Sequence, residues 1–155
     1  NFNSPGQIVI AGSAEGVRLA GEALTAEKAR VMALPVSAPF HSSLMRPAEE
    51  RLAPVLASVA FSDPRVPVYV NVDAAPVTAG GAARDALVRQ VSRAVRWDEA
   101  VAAMIADGVG LFVEIGPGKV LTGLLKRIDK NATAISVQNM AELAAARAAL
   151  RAARG

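Results

Sequence analysis

Two periodicities alternate along this chain. Short apolar, β-rich runs occupy residues 7–11, 31–37, 66–72, 111–115 and 133–137, and each predicts a strand. Between them apolar residues return every three or four positions. Val17, Ala20 and Leu24 predict a helix over about 13–24, and Leu44, Ala48, Leu52, Val55, Leu56 and Val59 predict one over 44–59. Further helices are expected over 82–93, 97–106 and 120–128, with an alanine-rich one over 141–154 that turns Leu143 and Leu150 inward. Pro47 suits a first helical turn, whereas Pro54 is expected to kink or break its helix, and Pro35 marks an edge or irregular strand. Gly80-Gly81 reads as a loop before the third helix. The run from Leu111 to Ile115 is near-continuously apolar, the pattern of a strand buried on both faces. Strands alternating with helices predict an α/β fold, with a parallel sheet covered by helices on both sides. No internal repeat or low-complexity linker interrupts it.

Composition narrows the function classes. A length of 155 residues suits one domain, and a hydrophobic fraction of 52% permits a sizeable core, although much of it is alanine. With 0 cysteines, disulfides and thiolate metal sites are excluded; with 1 histidine and no suitable carboxylate cluster, no zinc site is expected. The absence of cysteine fits a cytoplasmic protein, and no apolar run approaches the ~20 residues of a membrane span. The net charge of +3 and the 4% aromatic content, with no basic run interleaved with aromatics, give no nucleic-acid surface. The basic excess is either an ordinary solvated face or a docking patch for an acidic partner.

The candidate chemistry centres on His41. It lies in Val36-Ser37-Ala38-Pro39-Phe40-His41-Ser42-Ser43-Leu44-Met45, a strand leading into a short loop with a helix directly after it. A histidine at a loop tip can exchange protons near neutral pH, since its unperturbed pKa is about 6.5. Ser42 and Ser43 are good N-cap types for the following helix. Gly116-Pro117-Gly118-Lys119 follows a strand, yet the spacing of Gly116, Gly118 and Gly123 fits neither a Walker loop nor a dinucleotide turn, so a tight strand-to-helix turn is expected. Lys126, Arg127 and Lys130 cluster where a helix ends; they either complement its dipole or meet an acidic partner.

The histidine string resembles the histidine motif of the malonyl-CoA:acyl-carrier-protein transacylases of fatty acid synthesis. Four more segments match in order. They are Asn1-Phe2-Asn3-Ser4-Pro5-Gly6-Gln7 with the strand after it, Val68-Tyr69-Val70-Asn71-Val72-Asp73, Arg84-Asp85-Ala86-Leu87-Val88-Arg89-Gln90, and Glu114-Ile115-Gly116-Pro117-Gly118-Lys119-Val120-Leu121-Thr122-Gly123-Leu124. The resemblance implies an α/β-hydrolase-like core with a parallel sheet over residues 37–155. It implies that residues 1–36 are the tail of an inserted ferredoxin-like small subdomain. It implies that His41 is the general base, oriented by the backbone carbonyl of Gln90, and that Lys126 and Arg127 can face an acidic acyl carrier protein. Asn3 either binds substrate or is a turn residue. The implied substrate is malonyl-CoA, with no cofactor and no metal. The family's serine sits in a G-x-S-x-G elbow, and the 155 residues contain none; Gly12-Ser13-Ala14-Glu15-Gly16 has the wrong spacing. The chain is therefore expected to be the C-terminal half of such an enzyme, holding the base and not the nucleophile. The alternatives are a non-catalytic acyl-carrier or coenzyme A binding module and the acyltransferase domain of a polyketide synthase.

Overall fold

The computed structural model describes residues 1–152. The chain opens with an antiparallel hairpin of β1 (Phe2–Ser4) and β2 (Gln7–Ile8) and continues into α1 (Ala14–Ala26). Ser13 caps that helix, its hydroxyl accepting the Gly16 N–H at 3.1 Å. A single 3₁₀ turn, Ser43–Met45, leads into α2 (Arg46–Ala57). Then come β3 (Val68–Val70), β4 (Ala75–Val77), α3 (Gly80–Gln90), α4 (Trp97–Ala106), β5 (Leu111–Ile115), α5 (Val120–Ile128), β6 (Thr133–Val137) and α6 (Met140–Ala152). The last expected residues of α6, 153 and 154, lie outside the described ones.

The β5–α5–β6 unit is the parallel crossover that the alternation predicts, with Leu111 opposite Thr133 and Ile115 opposite Val137. The wider parallel sheet is absent among the described residues: β1–β2 and β3–β4 are antiparallel pairs. A tight turn over 71–74 joins β3 to β4, and a tight turn can join only antiparallel strands. The 66–72 run thus gives three strand residues instead of seven. The expected strand over 31–37 does not form. Val36 donates its N–H back to Leu34 O at 2.9 Å, Pro35 has no N–H to give, and no described strand runs alongside. Met32 and Val36 are left 71% and 64% exposed. β5 is also half-buried instead of covered on both faces.

The core is small and gathers where α4 and α5 meet β1 and where α6 meets β6. Val101, Ala100, Leu124, Leu125, Val137 and Ala146 are its buried side chains there, and Ala86 of α3 is buried too. In α6 the buried residue is Ala146; Leu143 is half-buried and Leu150 exposed, so the inward pair expected from spacing is replaced by an alanine that lets helix and strand approach closely. No residue of α1 is buried. α2 runs through Pro54 and ends three residues later, so the proline shortens the helix without breaking it at that point. No described helix is long and apolar enough to cross a membrane.

α3 carries part of the candidate site, and its start is fixed by a close approach. It begins at Gly80, two residues before the expected position, and Asp63 Oδ1 accepts the Gly80 N–H at 2.8 Å. A Cβ on Gly80 would sit 2.4 Å from the Phe61 carbonyl oxygen and 2.8 Å from that of Ser62. Backbone cannot yield cheaply, so Gly80→Ala is expected to destabilise by about 1–3 kcal/mol, read as a lower urea midpoint. Gly81→Ala, with open space at its Cβ, is the control that should leave the midpoint close to wild type.

Candidate active site

His41 stands at the tip of the loop before α2, half-buried, with φ at +60°. That left-handed conformation is uncommon for a residue with a side chain, although histidine tolerates it better than most, and it costs on the order of 1 kcal/mol. The loop is braced from within: Ser42 Oγ donates to the Pro39 carbonyl at 2.7 Å. Ser42 holds the backbone conformation of an N-cap but its hydroxyl caps nothing, and Ser43 lies inside the 3₁₀ turn. The expected serine cap is thus spent on holding the histidine loop.

The imidazole is oriented by a backbone group. Nδ1 of His41 lies 3.0 Å from the carbonyl oxygen of Gln90. A carbonyl can only accept, so Nδ1 carries the hydrogen, and in the neutral ring Nε2 keeps its lone pair. Gln90 can serve because it is the last residue of α3, where carbonyls lack partners within the helix. Its side chain closes the turn beyond, with Nε2 donating to the carbonyls of Arg93 and Ala94 at 3.2 Å each. No carboxylate hydrogen-bonds His41 among the described residues. The orienter lies 49 residues away along the chain, at the glutamine that the family resemblance implies.

Sequence reasoning gave no role to the polar groups that flank Gln90 along the chain. Arg89 meets both carboxylate oxygens of Asp73 at 2.6 Å. Arg96 donates from Nη1 to the Asp73 carbonyl at 3.2 Å and from its backbone N–H to Asn71 at 3.0 Å. Across the loop after α3, Ser92 Oγ hydrogen-bonds Glu49 of α2. Beside it lies an open cleft of about 420 Å³ lined by Ser43, Arg46, Glu49, Glu50, Ser92 and Arg93. Both Asp73 and Arg89 fall inside matched motifs, but their pairing spans 16 positions that no local pattern connects.

Asn3 lies half-buried in β1, and β1 abuts the same loop, since the Phe2 N–H donates to the Val95 carbonyl at 2.8 Å. No hydrogen bond joins Asn3 to His41. Its neighbour Ser4 is 1% exposed, and its hydroxyl has no protein partner. Lys126 and Arg127 are exposed on the last turn of α5. Arg127 is engaged, its Nη1 donating to Gln7 Oε1 at 2.5 Å.

The glycine turn after β5 is closed from within. Gly116 and Gly118 take φ of 135° and 91°, and Glu114 reaches across them to accept the N–H groups of Leu121 at 3.0 Å and Thr122 at 2.8 Å. The N–H groups that a phosphate would need are already bound to a carboxylate. The backbone N–H groups of Thr122 and Leu121 hold the Glu114 carboxyl below its ordinary value. The Arg89 hydrogen bonds, with the charges of Arg89, Arg96 and Arg93, do the same for Asp73. Lowered folded-state values mean that both groups stabilise the fold above the unfolded-state carboxylate range and lose that contribution as pH falls through it. Stability is expected to drop below about pH 4, and Asp73→Asn with Glu114→Gln should flatten the drop in urea titrations at stepped pH. An unchanged slope would remove both carboxylates from the acid response. Among the described residues, no group of three or more potential metal ligands is present.

A loop-tip imidazole with Nδ1 on a backbone carbonyl leaves Nε2 as the nitrogen that can exchange a proton. The chain belongs to the acyl transferase domain family, whose match covers residues 1–148. It is 52% identical over 147 residues to the malonyl CoA-acyl carrier protein transacylase of Escherichia coli K12, which covers 94% of this chain and 48% of that one. The enzyme of the same name from Bacillus subtilis is 45% identical over 140 residues, covering 90% and 44%. In three dimensions the chain superposes with a TM-score of 0.91, at 49% identity, on a malonyl-transacylase in complex with a type II PKS acyl-carrier protein, covering 94% of this chain and 48% of that one. For the malonyl-CoA:acyl carrier protein transacylase of Xanthomonas oryzae the TM-score is 0.89 at 43% identity, over 94% and 47%. The chain spans about half the length of the curated relatives it matches.

Proposed function

We propose that this chain is the histidine-bearing part of a transacylase that moves a malonyl group from coenzyme A to the phosphopantetheine thiol of acyl carrier protein in fatty acid biosynthesis. The observation that carries the reading is the His41 Nδ1–Gln90 carbonyl hydrogen bond, which leaves Nε2 as acceptor. A serine outside these 155 residues supplies the nucleophile. His41 Nε2 takes the serine proton as the oxygen attacks the thioester carbonyl, and the imidazolium returns that proton to the departing coenzyme A thiolate. The second half reverses the roles. Nε2 takes the carrier thiol's proton, the sulfur attacks the acyl-serine, and the serine oxygen recovers the proton. The chemistry needs no metal or redox cofactor. Residues 1–36 belong, on this reading, to the small subdomain that walls the acyl site, with Asn3 at its edge, and residues 37–155 belong to the core.

Lys126 and Arg127 are the docking charges for the acidic carrier. Rim charges mainly steer association and set its salt dependence. Lys126→Glu with Arg127→Glu is therefore expected to slow the second half-reaction with carrier protein at low salt and to leave serine acylation from malonyl-CoA nearly unchanged. Arg127 also ties α5 to Gln7, so Lys126→Glu alone is the cleaner variant. Rates with carrier protein and with a small pantetheine thiol decide it; equal loss with both, or loss with neither, rejects the patch. The complex with a type II PKS carrier among the structural relatives supports a polyketide carrier as a second acceptor, tested in the same assay.

A further inference from the structure

We propose that the Asp73–Arg89 pair is a positioning element for the base, fixing the Gln90 carbonyl and through it the tautomer of His41. The proposal rests on the acyl-transfer reading for its kinetic consequence and on geometry alone for its structural one.

Gln90 occupies the exit of α3, where a helix frays most readily, and its carbonyl must hold a direction to keep a hydrogen bond at 3.0 Å. The segment that contains it is hung from one residue on both sides. Immediately before Gln90, Arg89 forks onto the two carboxylate oxygens of Asp73. Six residues beyond, Arg96 binds the carbonyl of the same Asp73 and the carbonyl of Asn71. The turn that bears Asp73 is itself rigid, with Ala74 at φ +54° and its N–H bound to Val70 at 2.9 Å. Between the two anchors, the Gln90 side chain holds the carbonyls of Arg93 and Ala94.

Magnitude decides between a stabilising role and an orienting one. The Arg89 and Asp73 side chains are 34% and 38% exposed. An ion pair so accessible to water contributes little to stability after screening. A bidentate fork nevertheless fixes two angles at once, which a single point charge cannot. The pair thus contributes little to holding the molecule together and much to where the next carbonyl points. When that carbonyl drifts, Nδ1 loses its acceptor, the proton is free to move to Nε2, and the lone pair leaves the reacting side of the ring.

His41 is the sole histidine of these 155 residues, so within this chain its ring nitrogens report without overlap. The test is long-range ¹H–¹⁵N correlation of the imidazole, with steady-state kinetics, in the enzyme that includes the nucleophile-bearing segment; histidines of that segment are replaced or left unlabelled. Wild type is expected to show the Nδ1–H tautomer. Asp73→Asn and Arg89→Gln are expected to shift His41 measurably toward Nε2–H and to lower kcat by about 10–100-fold, while KM for malonyl-CoA stays within about twofold. Arg89→Lys, which keeps the charge and loses the fork, should fall with Arg89→Gln and not with wild type. If kcat falls while the tautomer stays Nδ1–H, the pair acts by another route and the proposal is overturned. It is equally overturned if Arg89→Lys is fully active, or if kcat stays at wild-type level in Asp73→Asn. If a single variant loses its fold by circular dichroism, the charge-swapped Asp73→Arg/Arg89→Asp protein substitutes for it; recovery of the tautomer there upholds the proposal and lack of recovery in a folded protein rejects it. A tautomer that moves as expected in a protein with no acyl transfer would reject the transacylase reading and leave the positioning role standing.

Discussion

His41→Ala, in the complete enzyme, should lower kcat/KM for malonyl transfer by about 10²–10⁴-fold, the span for loss of a positioned base. One ring nitrogen is committed to Gln90, and on the proposed reading the other is the acceptor that activates a serine hydroxyl. The loss should appear in both half-reactions, because the same nitrogen serves both. Stability should change little beside that loss, since the side chain is only half-buried. Urea midpoints measured beside the kinetics separate the two effects. A variant with near-normal transfer would return His41 to the role of a loop residue that merely braces α2.

A larger effect is expected from the polypeptide itself. The 155 residues, produced alone, should give no malonyl transfer above background. No G-x-S-x-G elbow occurs among them, and the serine nearest to that spacing, Ser13, spends its hydroxyl capping α1. Removing either member of a serine–histidine pair costs several orders of magnitude, and the loss is not shared out additively between them. Transfer from malonyl-CoA to carrier protein by this polypeptide, undiminished after removal of any trace of longer enzyme, would show a nucleophile within the chain and overturn the division of labour proposed here.

The parts of the fold that were legible in the sequence are those fixed by local patterns. The β5–α5–β6 crossover was readable from the apolar run 111–115, the glycine turn and the periodic helix after it. What escaped was whatever depends on a neighbour. The run 31–37 has strand composition, yet strand formation needs an adjacent edge, and Val36 turns back on Leu34 instead. The run 66–72 reads as one strand, yet only Val68–Val70 of it pairs, as the first arm of a hairpin, because Asp73 and Ala74 carry a turn whose left-handed φ alanine does not advertise. In α6, spacing favoured Leu143 and Leu150, but the close approach of helix to sheet selected Ala146. At the site, His41 was legible as a loop-tip histidine, and Gln90 only through the family motif, because a backbone carbonyl leaves no trace in residue type. The Asp73–Arg89 fork was spelled out in two motifs and invisible as a pair.

The central claim is that His41, anchored through Nδ1, is the base for covalent acyl transfer. Rapid-quench mixing of the complete enzyme with malonyl-CoA and no acceptor thiol tests it most directly, with enzyme-bound malonyl counted against time. The account predicts a fast burst of malonyl-serine in the wild type and, in His41→Ala, the same endpoint reached about 10²–10⁴-fold more slowly. Bursts of equal rate in the two proteins would contradict it.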